Sequence, residues 1–205
     1  AEAEGNLLLD HLAGAVVSCY PKRQYVAEID ELFRHWEHHY ASLGRKAFAV
    51  PTGGSDGIGA WGYVAACEEL AADFAANHIE QAHIVTATGS GGTQAGLTLG
   101  AALHHLPATV WGVNVCDDEQ YFLDKIAADA ADWHRRYLQV PPVEILPRVI
   151  DGYVGQGYGI ADAAVFSLIA ELAALEGVVL DPVYTGKAFK GMLAEIAAGR
   201  FEGTR

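Results

Sequence analysis

Basic residues are scarce: 13 Lys and Arg stand against 26 Asp and Glu, a net charge of −13 over 205 residues. Such acidity argues against nucleic acid or an anionic membrane as a partner, and leaves room only for a local basic pocket. Cysteine is rare as well. Cys19, Cys67 and Cys116 are odd in number and no pair has metal-ligand spacing. The simple reading is a reduced, cytoplasmic compartment. No apolar run reaches the length of a membrane span, and no basic stretch followed by an apolar core marks a signal peptide. Methionine occurs once, at Met192; residue 1 is Ala, and the chain stops at Arg205 just after a helical pattern. We read this as a piece of a longer protein. What is plentiful is apolar: 51% of residues are hydrophobic and 19% charged. That supports a sizeable core and argues against disorder.

Short β-rich runs alternate with longer helical ones. Helices are expected over 6–13, 24–43, from the 55–56 cap to 76, up to 105 after the second glycine loop, and over 119–137, 162–175 and 186–199. In the second of these, Val26, Ile29, Phe33, Trp36 and Tyr40 recur at spacings of three and four. Strands are expected at 15–19, 47–50, 84–87, 109–115, 143–149 and 178–180. This alternation predicts an α/β fold: an open, mostly parallel sheet with helices on both faces. Ligands in such folds bind at the carboxyl ends of the strands. Pro51–Gly54 marks a boundary between two lobes.

Two glycine loops follow expected strands. Ser55 and Asp56, in Thr52-Gly-Gly-Ser-Asp-Gly57, are candidate caps for the next helix. Thr86-Ala-Thr-Gly-Ser-Gly-Gly-Thr93 joins a buried strand to a helix. Gly89, Gly91 and Gly92 let the backbone approach an anion, the helix N-terminus offers unpaired N–H groups, and Thr88, Ser90 and Thr93 add hydroxyls. The loop lacks a Walker lysine, and a dinucleotide glycine would fall on Gln94. Spacing alone leaves an anion site and a plain strand–helix turn both open. His35, His38 and His39 beside Glu37 read as a solvated helix face without a third metal ligand, and His104-His105 and Trp133-His134 read the same way. Cys116, before two aspartates, reads as structural because an acidic setting raises a thiol pKa.

Five motifs occur in order: Asn6-Leu-Leu-Leu-Asp10, Gly53-Gly-Ser-Asp-Gly-Ile-Gly-Ala-Trp-Gly-Tyr63, Thr88–Thr93, Val115-Cys-Asp-Asp118 and Leu180-Asp-Pro-Val-Tyr-Thr-Gly-Lys-Ala188. Together they resemble the D-cysteine desulfhydrase and 1-aminocyclopropane-1-carboxylate (ACC) deaminase family, over nearly the whole chain. The resemblance implies a fold-type-II pyridoxal 5'-phosphate (PLP) enzyme of two lobes. Residues 1–51 are then the remainder of the small lobe and 52–205 most of the large one. It implies that the loop Thr88, Gly89, Ser90, Gly91, Gly92, Thr93 grips the PLP phosphate. It makes Tyr184 the catalytic tyrosine and Tyr158, in Gly157-Tyr-Gly159, a second one. Thr185 then faces the pyridine nitrogen, and Ser55 and Asp56 border the substrate cleft. A phenol with its ordinary pKa of about 10 moves protons only where a neighbour lowers that value.

Where ACC deaminases carry Glu, this chain has Thr185, a weaker partner for the ring nitrogen. That favours loss of a good β leaving group over opening a cyclopropane. Lys187 is tempting as a cofactor lysine. In the family, however, that lysine lies in an N-terminal Asn-Lys-x-Arg-Lys segment, and neither this segment nor the following Ser-Asn-His stretch stands here. The remaining candidates, Lys22, Lys46, Lys125 and Lys190, read as solvated. Three functions therefore compete. The first is β-elimination on a small amino acid such as D-cysteine, giving pyruvate, hydrogen sulfide and ammonia, with ACC deamination or cysteate cleavage as alternatives. The second is a catalytically inactive fragment of such an enzyme. A nucleotide-binding module is the third, and the failed glycine spacing speaks against it. The resemblance also implies a homodimer of the complete protein.

Overall fold

The computed structural model describes residues 4–201; Ala1 and the last four residues, on which the reading of the chain's ends partly rested, lie outside them. The chain divides into two compact units, meeting at Val50 and Pro51. The first unit holds α1 (Gly5–Leu12) and α2 (Lys22–Ser42), and no residue of either helix is buried. Trp36 donates its indole N–H to the Tyr20 hydroxyl at 2.8 Å. The strands expected at 15–19 and 47–50 do not form; both stretches are irregular. A β-branched run becomes a strand only where a ladder partner lies beside it.

The second unit holds α3 (Trp61–Ala76), β1 (Ala82–Thr88), α4 (Gly92–Leu103), β2 (Ala108–Asn114), α5 (Glu119–Arg136), β3 (Val149–Ile150), α6 (Ala163–Glu176) and α7 (Thr185–Ala197). Its sheet has the order β1-β2-β3, all parallel, with Ile84 opposite Val110 and Gly112 opposite Val149. Alternate residues of β2 separate the two faces. Val110 packs with Leu97 and Ala101 of α4, whereas Trp111 and Val113 pack with Ala188 of α7. Helices thus cover both faces, as the alternating pattern requires. No described helix is long and apolar enough to cross a membrane.

A glycine stripe sets how close α3 lies to α4. A Cβ on Gly96 would stand 2.6 Å from the Ala60 carbonyl oxygen; one on Gly100 would stand 2.7 Å from the Cys67 sulfur and 2.9 Å from Val64 Cα. Gly92 completes the i, i+4, i+8 row, with Ser55 at its back. The stripe explains why Ala60, Val64 and Cys67 are almost wholly buried.

Two more expected strands fail. Over 143–148 the chain is irregular, because Pro141, Pro142 and Pro147 remove ladder donors. Val143 instead donates its N–H to His134 Nε2 at 3.2 Å. His134 is therefore a loop anchor rather than a solvated residue, and Trp133 beside it is fully buried. Residues 178–180 lack a partner strand among the described residues, and Val179 is exposed.

Candidate functional site

The carboxyl ends of the three strands carry the site. β1 runs into Gly89-Ser-Gly91, and α4 starts at Gly92 after a left-handed Gly91 (φ 90°). The N–H of Gly92 is taken by Ser55 Oγ at 3.1 Å, and the Ser55 hydroxyl is donated to Ser90 Oγ at 2.8 Å. Ser55 thus caps α4 from a distance, not the helix that follows it. Asp56 does not cap that helix either. Its Oδ1 accepts from the N–H groups of Ile58 and Gly59, which closes a turn, and α3 begins only at Trp61 without a side-chain cap. Among the described residues, the backbone N–H groups of Gly89, Ser90, Gly91, Thr93 and Gln94 meet no acceptor. They form a cluster of donors at the positive end of a helix dipole, the arrangement an anion needs. The Ser90 proton is also free to donate, since its oxygen only accepts from Ser55.

Thr88 faces the other way. It is buried and donates its hydroxyl to Gln94 Oε1 at 2.8 Å. Gln94, wholly buried, passes its amide to the Arg148 carbonyl at 2.8 Å. A side chain on Gly112 would collide with it. The residue that spoils a dinucleotide glycine pattern therefore ties α4 to the sheet. Lys125 is not the solvated residue its helical position suggests. Its side chain is only 27% exposed, and its Nζ bonds Asp129 and, at 2.9 Å, the Ser55 carbonyl. Burial pushes the Asp129 carboxyl up, against the pull of Lys125.

At the end of β2, buried Asn114 gathers the next turn: its Oδ1 accepts from the N–H groups of Cys116 and Asp117, and its amide donates to Asp151 Oδ1 at 2.9 Å. Cys116 donates its thiol to the Gly89 carbonyl at 3.3 Å. Burial and Asp117 push that thiol up, with Lys187 opposing, in keeping with a structural cysteine.

Tyr158 and Tyr184, 26 residues apart, meet: their hydroxyl oxygens are 2.5 Å apart, and the rings are tilted by 59°. Tyr184 also lies against the glycine loop, for a Cβ on Gly89 would stand 2.9 Å from its Cε1. The bond from Tyr158, then burial, then nearby negative charge push the Tyr184 phenol up to about 12. Nothing here lowers it; Tyr184 is held as a neutral hydroxyl.

Asp181 fixes where Tyr184 stands. Its Oδ1 accepts from the N–H groups of Val183 and Tyr184, and its Oδ2 accepts from the N–H and, at 2.6 Å, the hydroxyl of Thr185. Burial works against this carboxylate, but those bonds hold it below the usual range. The Thr185 proton is accordingly spent inside its own turn. Lys187 is 2% exposed and donates to the carbonyls of Val154 and Gly157, each at 2.8 Å. Lys190 pairs with Asp162 at 2.8 Å. In the first unit, His35 and His39 are exposed rings packed edge-on to Trp36.

A family model described as pyridoxal-phosphate dependent enzyme matches residues 2–205. The D-cysteine desulfhydrase of Klebsiella pneumoniae is 34% identical over 98% of this chain and 59% of its own length. The bifunctional D-cysteine desulfhydrase/ACC deaminase of Arabidopsis thaliana is 34% identical over 94% of this chain and 47% of its own. The crystal structure of an ACC deaminase homologue superposes with a TM-score of 0.80 at 32% identity, covering 97% of this chain and 59% of that one. The chain thus spans about half to six-tenths of the length of these relatives. The fold is that of the fold-type-II PLP enzymes, and the chain belongs to the pyridoxal-phosphate dependent enzyme family, among the relatives of the ACC deaminases and D-cysteine desulfhydrases.

Proposed function

We propose that this chain supplies the phosphate-gripping loop and the tyrosine pair of an enzyme that performs β-elimination on a small amino acid, in the manner of a D-cysteine desulfhydrase. The observation that carries the reading is the Tyr158–Tyr184 hydroxyl pair standing against the glycine loop at the N-terminus of α4. PLP, when bound, supplies the electron sink. Its phosphate fits the open donors: the N–H groups of Gly89, Ser90, Gly91 and Thr93, and the Ser90 and Thr93 hydroxyls. Gly92 offers no N–H, since Ser55 already holds it; its part is to let Ser55 come close. Thr88 and Thr185 support the loop and the α7 turn through Gln94 and Asp181, and serve the cofactor only by exchanging those bonds.

Tyr184, kept neutral, donates a proton rather than removing one at neutral pH. The Tyr158 hydroxyl relays or restores it. Ser55 and Asp56 border the cleft through the same loop; Ser55, buried with its hydroxyl held between Gly92 and Ser90, acts by positioning Ser90, and Asp56, whose Oδ1 closes its own turn, meets substrate through its other oxygen. The first unit plays the part of the small lobe, and the complete protein forms a homodimer, a reading supported by α6, where Phe166 and Leu175 leave an apolar helix half-open. Sedimentation of the full-length protein tests the dimer; a monomer at micromolar concentration contradicts it.

Thr185 sets the choice between D-cysteine and ACC. A hydroxyl already donated to Asp181 leaves the ring nitrogen without a strong cation-stabilising partner. In the full-length protein, sulfide release from D-cysteine is expected to exceed 2-oxobutyrate release from ACC, and Thr185→Glu to move the ratio toward ACC. A wild-type preference for ACC would make the deaminase reading, which the bifunctional relative's name carries beside the desulfhydrase one, the better of the two.

A further inference from the structure

Lys187 lies within α7, three residues after Tyr184, and its ammonium is sealed inside the fold at 2% exposure. Among the described residues it has no carboxylate partner. It meets two carbonyl oxygens, those of Val154 and Gly157. Burying an ammonium is costly unless its donors are well matched. A fold that keeps one there is using it to hold those carbonyls.

The carbonyls belong to the loop between β3 and α6. Gly152, Gly155, Gly157 and Gly159 all have positive φ, at 95°, 70°, 135° and 77°. Such a backbone has little conformational preference of its own. Before its last residue, Asp162, which caps α6, its one backbone–backbone bond among the described residues is Ile160 N–H to the Gly157 carbonyl at 3.2 Å. Tyr158 sits inside this loop with 60% of its surface exposed, so packing does not hold it. The Gly157 carbonyl is part of the peptide bond that leads into Tyr158. Fixing that carbonyl fixes the plane from which the Tyr158 side chain departs.

We propose that Lys187 is a positioning residue: from inside the fold it clamps the Val154–Gly157 turn and so holds the Tyr158 hydroxyl on that of Tyr184. The inference rests on reading the two tyrosines as the proton-handling pair. Tyr184 at the N-cap of α7 and the clamp in the first turn of that helix then stand on one element, which keeps the two phenols in register. Lys187 acts on the loop and touches neither substrate nor cofactor.

The test places 3-fluorotyrosine at position 184 and follows its ionisation by 19F NMR in the wild-type chain, Tyr158→Phe, Lys187→Met and Lys187→Arg. The groups facing this phenol are Tyr158, Cys116 and Asp181. In the wild type, position 184 is expected to titrate well above free fluorotyrosine, and Tyr158→Phe to remove most of that elevation. Lys187→Met is expected to remove a similar share while the far-UV dichroism stays native, and Lys187→Arg to restore part of it. An unchanged titration in Lys187→Met, with Tyr158→Phe lowering it, overturns the proposal. Should Lys187→Met fail to fold, Lys187→Gln takes its place with the same two results. An independent reading uses the unmutated chain. The Lys187 Nζ protons, seen by 15N NMR, are expected to exchange at least tenfold more slowly than those of Lys46, and equal rates overturn the clamp. Neither measurement needs the cofactor. A chain that shows the clamp but no preference for pyridoxal phosphate over pyridoxal would sink the proposed function and leave the clamp standing; the opposite result would do the reverse.

Discussion

Gly100→Ala sets two physical effects against each other. Taken alone, α4 gains from the change, because Ala is preferred over Gly in a helix interior by about 1 kcal/mol. The packing works the other way. The new Cβ would stand 2.7 Å from Cys67 Cβ and Sγ and 2.9 Å from Val64 Cα, and the last of these is backbone. Carbon atoms rest comfortably at about 3.5–4.0 Å. Helix α3 must therefore retreat by roughly 1 Å along a face where Val64, Cys67 and Leu99 are at most 1% exposed. Overpacking of that kind costs about 1–3 kcal/mol. The net expectation is a loss of up to about 2 kcal/mol, which at an ordinary urea dependence lowers the midpoint by up to about 1 M. Gly62→Ala is the control: it lies in α3, and nothing stands within 4 Å of its added Cβ. It is expected to be neutral or to stabilise by up to about 1 kcal/mol. Urea unfolding followed by tryptophan fluorescence decides the sign. A Gly100→Ala chain as stable as Gly62→Ala would refute the close α3–α4 approach.

Gln94→Leu leaves the buried Thr88 hydroxyl without an acceptor, while the Arg148 carbonyl keeps the Gly112 N–H as its donor; the expected cost in the same assay is about 2 kcal/mol, and a change below half of that would show that the Thr88 hydroxyl finds another partner. Asp181→Ala removes the acceptor for three backbone N–H groups and the Thr185 hydroxyl, an expected loss of about 1–2 kcal/mol, the range of a helix cap. The Asp181 carboxyl is held below its ordinary value, so its contribution is present above pH about 4 and is lost as pH falls through the depressed value. Stability of the wild type and of Asp181→Ala, measured from pH 7 to 2.5, is therefore expected to converge on the acid side, and parallel curves contradict the assignment. For Tyr184 the sign is opposite: its pKa is raised, so its contribution is complete below pH 10 and is lost as pH rises through about 12. Tyr158→Phe is expected to shrink that alkaline loss.

The sequence pattern located β1, β2 and the helices of the second unit to within a few residues, because amphipathic periodicity and glycine ends are local signals. Four expected strands failed, because apolar runs do not show whether a partner strand is beside them. The glycine row Gly92, Gly96, Gly100 is a readable signal for close helix packing, though only the structure shows which helix it meets. The resemblance named Tyr158 and Tyr184, and the structure adds what no spacing reveals: their contact, and a phenol pushed up rather than down. Asp181 stands within the most specific motif, yet its grip on Thr185 depends on side-chain direction. Lys125 and Lys187 escape a sequence reading for one reason. A lysine's sequence surroundings do not show whether its ammonium ends in water or on a carbonyl.

The central claim is that the loop at the start of α4 grips the phosphate of PLP. The most direct test is to titrate the chain with PLP and with pyridoxal, which lacks the phosphate, in the wild type and in a Ser90→Ala, Thr93→Ala double variant, reading tryptophan quenching. The account expects PLP to bind at least tenfold more tightly than pyridoxal, with most of that advantage gone in the double variant. Equal binding of the two compounds, or an advantage the double variant keeps in full, would contradict it.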